Sequence, residues 1–151
     1  MSAGGHPEAL VLDASVTAAW LLPEQRTPAA ERAYGRLRAQ GFVAHAPELW
    51  LWECSNIIAN GVRRGRVRPS DAMLLWGLLD AVRTRVELTV PEPGQVRAAL
   101  ALAIDHGLSS YEAAYLWLAS SLRLPLLTHD ERLAEAARQL RVPVLAVEDL
   151  Q

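Results

Sequence analysis

The chain has 151 residues, 51% of them hydrophobic and 21% charged, which is long enough for one compact core, too apolar for disorder and too interrupted by charge for a membrane span. Its net charge is −2 and all 15 basic residues are arginine. That excludes Schiff-base, P-loop and general-base lysine chemistry, and confines any nucleic-acid binding to a local arginine patch. The single cysteine, Cys54, excludes an internal disulfide and a cysteine-rich zinc site, and favours a cytoplasmic setting.

Residues 1–8, with Gly4-Gly5 and His6-Pro7, read as a flexible N-terminal tail ahead of one domain over 9–151. The first apolar run stops at Asp13, too short for a signal peptide or membrane anchor. Strand-length apolar runs are predicted at 9–12, 42–46, 125–128 and 142–147, with a weaker one at 86–90. Between them the pattern predicts helices near 15–22, 28–40, 48–64, 70–83, 93–105, 110–122 and 130–140. Pro69-Ser70-Asp71 and Pro91-Glu92-Pro93-Gly94 read as helix beginnings, not domain linkers. Continuous apolar strands alternating with helices imply an α/β fold: a central, mostly parallel sheet of four or five strands covered by helices on both faces.

In such a sheet ligands gather beyond the carboxyl ends of the strands. Asp13 follows Leu10-Val11-Leu12, and Asp130 follows Pro125-Leu126-Leu127-Thr128-His129, so two strands deliver carboxylates to the same edge. Each also sits where an aspartate caps a helix, and Thr128 with Glu131 fits a capping box that would leave Asp130 as a first-turn charge.

Glu53 lies inside an apolar helix beside Trp50, Trp52, Cys54, Ile57 and Ile58, and its spacing puts Asn56 and Asn60 on its own face. This is either a solvated stripe or a charge that needs a partner. Glu112, the only acidic residue between His106 and Arg123, shares a face with Leu108, Leu116 and Ala119 and is expected to be the most buried carboxylate. Ser109-Ser110-Tyr111-Glu112 is also a capping-box pattern, and spacing alone ranks that role above catalysis.

Four carboxylates brought into one pocket would raise one another's pKa values unless a cation intervened. All-oxygen ligands select hard ions such as Mg²⁺ or Mn²⁺, and the matching reaction is phosphodiester hydrolysis by metal-activated water.

The chain resembles the PIN-domain family, and within it the VapC-type ribonuclease toxins of bacterial toxin-antitoxin pairs. The likeness runs from about residue 9 to 147 through four ordered segments: Leu12-Asp13-Ala14-Ser15-Val16, Pro47-Glu48-Leu49-Trp50-Leu51-Trp52-Glu53-Cys54-Ser55-Asn56, Gly107-Leu108-Ser109-Ser110-Tyr111-Glu112-Ala113-Ala114-Tyr115 and Pro125-Leu126-Leu127-Thr128-His129-Asp130. The resemblance implies that Asp13, Glu53 and Asp130 are active-site acids, with Ser15, Asn56 and Thr128 as polar supports. It implies metal ligation by Asp13, Asp130 and Glu112, the last where the family usually has aspartate. It further implies a Mg²⁺- or Mn²⁺-dependent endoribonuclease, a homodimer and a cognate antitoxin.

Arg63, Arg64, Arg66 and Arg68 form the one dense basic run, read as a solvated loop, an RNA-backbone contact or an antitoxin contact. Trp50, Trp52, Trp76 and Leu78 offer apolar surface for a core or a partner. His129, beside Asp130, has the chemistry of a base, although metal-activated water needs none. An aspartyl phosphatase would need a second acid where Ser15 stands and a lysine downstream, and a phosphate receiver also needs the lysine. The rival that survives is a catalytically weak or inactive PIN-like domain that binds RNA or protein.

Overall fold

The computed structural model describes residues 7–150. Of the predicted tail, 1–6 lie outside the described residues, while the Glu8 carbonyl already accepts a hydrogen bond from the Val43 amide beside the first strand pair.

Five strands form one wholly parallel sheet in the order β3-β2-β1-β4-β5: β1 (Ala9–Leu12), β2 (Val43–Pro47), β3 (Val86–Thr89), β4 (Leu126–Leu127) and β5 (Val144–Leu145). Leu10, Val11 and Leu12 of β1 and Leu126 and Leu127 of β4 are completely buried, as expected of central parallel strands. β4 and β5 pair over fewer residues than their apolar runs suggest, and each is preceded by a proline, Pro125 or Pro143, which has no N–H to give to a ladder. Edge strand β3 is half-buried and exposes Glu87, which explains its weaker signal.

Seven helices connect the strands: α1 (Ala14–Leu21), α2 (Pro28–Leu37), α3 (Leu49–Arg63), α4 (Ala72–Arg83), α5 (Pro93–His106), α6 (Ser110–Leu122) and α7 (Glu131–Gln139). The predicted helix over 70–83 begins instead with a 3-10 turn, Pro69–Asp71. The chain steps from β1 to β2 to β3 in one direction and then returns past β1 to β4 and β5. Right-handed crossovers in opposite directions place helices on opposite faces, so α1–α4 cover one face and α5–α7 the other. Helices α1, α3 and α4 pack on one another, as do α5 with α6 and α6 with α7.

The reversal makes the β1/β4 junction the topological switch point, where the loops part and a cleft opens beyond the strand ends. Asp13 follows β1 at the N-cap of α1 and Asp130 follows β4 at the N-cap of α7, so both acids flank that point. Trp50 is fully buried with its Nε1 donating to Thr17 Oγ1 at 3.2 Å, whereas Trp52, Trp76 and Leu78 are exposed, Trp52 the most, and Met73 and Leu74 are exposed as well. No helix among the described residues is long and apolar enough to cross a membrane.

Candidate active site

Asp13 occupies the N-cap position of α1 but makes no side-chain cap bond. Its Oδ2 instead accepts from Ser15 Oγ at 2.6 Å and from Thr128 Oγ1 at 2.7 Å. Ser15 Oγ accepts the His129 amide at 2.9 Å and Thr128 Oγ1 the Asp130 amide at 3.0 Å, so two hydroxyls stitch the end of β1 to the end of β4. Asp13 is 6% exposed, and burial pushes its carboxyl above the ordinary range despite both hydroxyls, with the Asp130 charge adding to the rise.

Thr128 therefore does not cap α7. Asp130 is the cap, its Oδ1 accepting from the amides of Arg132 at 2.9 Å and Leu133 at 3.0 Å, and the expected Thr128–Glu131 box does not form. The hydroxyl is drawn instead to a buried carboxylate, whose charge makes the stronger acceptor.

Glu53 sits one turn into α3, half-buried, with Oε1 accepting from the Tyr115 hydroxyl at 3.1 Å. Its carboxyl is pushed up to about 7, mainly by burial and then by the Asp13 charge; Tyr115 opposes the rise and Glu112 adds to it. Tyr115 is itself 1% exposed, so α6 and α3 are joined by a part-buried phenol–carboxylate bond.

Glu112 closes the capping box of α6: its Oε2 accepts the Ser109 amide at 2.7 Å while its own amide donates to Ser109 Oγ at 3.1 Å. It is half-buried, so the expectation that it is the most buried carboxylate is corrected; Asp13 is. Glu112 stands in the first turn of its helix, open to the cleft, rather than under the apolar face that continues through Leu116 and Ala119.

All four acids line one cleft of about 380 Å³ with Ser15, Asn56 and Tyr111, and no basic residue lines it. The ring of His129 is not part of that lining; the residue contributes its amide. Asn60 lies outside the acidic cleft and accepts from Arg63 Nη2 at 2.6 Å. Arg68 forks onto Asp71 and Arg66 pairs with Glu24 at 3.7 Å, which leaves Arg64 as the member of the basic run with no side-chain partner among the described residues.

Two contributors escaped the sequence reading as site residues, Tyr115 and the Ser109 amide. The available signal for Tyr115 was a polar-tipped aromatic three residues beyond Glu112 on an apolar helix, which needs a partner when buried.

As the side chains stand, no three His, Cys, Asp or Glu among the described residues are grouped tightly enough to hold an ion by direct contact. The donor chemistry nevertheless fits a hard divalent cation: all-oxygen, fourfold acidic, without a basic residue in the lining, and with two carboxyls pushed upward by burial and, less, by the charge of neighbouring carboxylates. Mg²⁺ usually takes only one or two carboxylates directly and keeps several waters, which suits a cleft of this width.

The PIN domain pattern matches residues 10–139. Ribonuclease VapC3 of Pyrobaculum aerophilum is 37% identical over 138 residues, 89% of this chain and 98% of that protein. The crystal structure of PAE2754 from Pyrobaculum aerophilum has a TM-score of 0.71 at 22% identity, covering 97% of this chain and 95% of the other, a likeness of fold.

Proposed function

The chain belongs to the PIN-domain family, and we propose that it is a Mg²⁺- or Mn²⁺-dependent endoribonuclease, the toxin of a toxin-antitoxin pair acting in the cytoplasm. The observation that carries this reading is the convergence of Asp13, Glu53, Glu112 and Asp130 from four elements on one cleft without a cation of the protein's own. Similarity to a protein named ribonuclease VapC3 supports RNA as the substrate and an antitoxin as the partner.

Asp13, Asp130 and Glu112 would hold the ion, and Glu53 the water. The bound ion supplies Lewis acidity toward a phosphoryl oxygen and lowers the pKa of water. Ser15 and Thr128 fix Asp13 through a single oxygen, Tyr115 does the same for Glu53, and the Ser109 amide for Glu112. Each carboxylate is thereby oriented before substrate arrives, which preorganises the site. Glu53, with its carboxyl near 7, is matched to exchanging a proton with that water at neutral pH. Asn56, exposed on the same helix face, offers an amide to substrate.

The exposed Trp52, Met73 and Leu74 and the exposed Val96, Leu100 and Ile104 of α5 are apolar surfaces suited to an antitoxin and to a second copy in a homodimer. The test is cleavage of single-stranded RNA by wild type and Asp13→Asn, with Mn²⁺ and with EDTA. Cleavage by wild type in Mn²⁺ alone supports the reading; cleavage that survives EDTA or Asp13→Asn refutes it. A second reading, a non-cleaving PIN-like binding domain, draws on one observation: Glu112 already spends an oxygen on its own helix cap. It predicts RNA or antitoxin binding with no metal-dependent cleavage.

A further inference from the structure

The four arginines at and just beyond the end of α3 are not equivalent. Two are engaged locally, Arg63 on Asn60 and Arg68 on Asp71 through both guanidinium edges. Arg64 and Arg66 instead line a second cleft of about 220 Å³, together with Asn60 and Gly61, and this cleft shares Ala18 and Ile57 with the acidic one. The two clefts adjoin along Ala18 and Ile57, and together they make a groove that is acidic at the switch point and carries Arg64 and Arg66 at the other end.

The basic end is a built structure. After α3 the chain folds back: the Arg64 amide donates to the Asn60 carbonyl at 2.9 Å, the Gly65 amide to Val62 at 3.0 Å, and the amides of Arg66 and Val67 to Gly61 at 2.8 and 3.1 Å. Val67 is buried against Gly61, where a Cβ would come within 2.8 Å of its Cγ2, so only glycine lets the loop close this tightly. Gly65 turns it through φ +71°. The Arg66–Glu24 pair is long and half-exposed, so it gives way readily to a better anion.

Glu53 and Asn60 recur on one face of α3, Arg64 caps its C-terminus, and the first and last are eleven positions apart, roughly 16 Å along a helix axis. That span is a few nucleotides of a single strand. A cleft of four carboxylates repels phosphate, so a strand held there needs a cationic anchor close by, and the groove supplies it in the one direction marked by Asn56, Asn60 and Arg64.

We propose that this groove is the track of the RNA strand beside the scissile bond, with Arg64 and Arg66 holding backbone phosphates and Asn60 offering hydrogen bonds between them. The proposal rests on the ribonuclease reading and names where that substrate lies. It assigns no base specificity, since guanidiniums on phosphates read none.

The test is binding of a short fluorescein-labelled single-stranded RNA in EDTA, followed by anisotropy across a salt series, for wild type, Arg64→Gln/Arg66→Gln and Arg63→Gln/Arg68→Gln. Loss of two phosphate contacts is expected to flatten the slope of log K against log salt by about 1.4, at roughly 0.7 per contact on a single strand. The Arg63/Arg68 variant is expected to keep the wild-type slope. All three proteins are expected to show the same melting temperature and the same Mn²⁺-induced rise in it, which keeps folding and the acidic end out of the comparison. Wild-type binding with an unchanged slope in Arg64→Gln/Arg66→Gln overturns the track alone and hands the loop to a protein partner. An equal loss in both variants overturns it too, as diffuse charge. Wild type that binds no RNA at any salt overturns the track as well, while failure of the ribonuclease reading shows separately, as wild type that cleaves no RNA in Mn²⁺.

Discussion

Glu53→Gln separates a carboxylate that holds the fold together from one that the fold holds at a cost. The Glu53 carboxyl is raised from its ordinary 4.5 to about 7. Below about pH 4.5 the group is protonated whether the chain is folded or not, and it costs nothing. Between 4.5 and 7 the unfolded chain releases the proton and the folded chain keeps it, so stability falls as pH rises; above about 7 the full cost stands. That interval corresponds to roughly 3.4 kcal/mol at 1.36 kcal/mol per pH unit. Because the side chain is partly open to water, screening reduces the cost to about 1–2 kcal/mol. Glutamine keeps an oxygen for the Tyr115 hydroxyl and removes the charge. In EDTA at about pH 8.5 the variant is therefore expected to melt about 2–8 °C above wild type, at roughly 2–4 °C per kcal/mol for a domain of this size, and to melt with it at about pH 4.5. Free Mn²⁺ at about 100 times its Kd is expected to stabilise wild type by roughly 2.7 kcal/mol and the variant by less. A variant no more stable than wild type at pH 8.5 in EDTA would show that Glu53 carries no electrostatic burden and would refute the crowded-carboxylate argument.

Asp13→Asn keeps an oxygen for Ser15 and Thr128, so it is expected to fold, to lose the Mn²⁺-induced rise in melting temperature and to cleave RNA no faster than EDTA-treated wild type. Tyr115→Phe removes the donor to Glu53; the expected cost is about 1 kcal/mol of stability together with Mn²⁺ binding weakened roughly 10-fold, measured by calorimetric titration. An unchanged Mn²⁺ affinity would reduce Tyr115 to core packing. Glu112→Gln preserves the capping box and is expected to keep its apo melting temperature while binding Mn²⁺ more weakly. Glu112→Ala loses the box as well, at about 0.5–2 kcal/mol, and equal Mn²⁺ affinity in all three proteins would restrict Glu112 to its cap.

What the sequence discloses here is what is local. The strands are legible because central parallel strands are apolar on both faces, and β1 and β4 are entirely so. The capping box of Glu112 is legible because Ser109 lies three residues away and nothing distant competes for either partner. The same reasoning misplaces Thr128, which has an equally good local pattern but is claimed by Asp13 from 115 positions away. Tyr115 and Glu53 are 62 positions apart and meet only because α6 folds back over the strand ends. Arg63, Arg64, Arg66 and Arg68 form one run on paper, whereas the turn closed by Gly61 and Val67 sets Arg64 and Arg66 beside Asn60 in one cleft and leaves Arg63 on Asn60 and Arg68 on Asp71.

The anchors of the four acids divide them into two kinds, and the division has a measurable consequence. Asp130 and Glu112 are held by backbone amides at the N-termini of α7 and α6, where the helix dipole complements negative charge. Asp13 and Glu53 are held chiefly by hydroxyls, Asp13 with a backbone bond at Ala14 besides, in buried and half-buried surroundings respectively, and both carboxyls are pushed upward. A cation held by Asp13 with its water at Glu53 must displace protons from the second kind, because a ligand binds deprotonated and a nearby positive charge favours the ionised Glu53. Mn²⁺ binding is therefore expected to release protons below about pH 7, with the release shrinking above that value as Glu53 becomes ionised beforehand. Calorimetric titration in two buffers of different ionisation enthalpy reads the number directly, and Glu53→Gln is expected to lower it. Binding that releases no proton at any pH from about 5.5 to 8.5 would mean that neither an ion at Asp13 nor its water at Glu53 displaces a proton, and the site would have to be rebuilt around Asp130 and Glu112 alone.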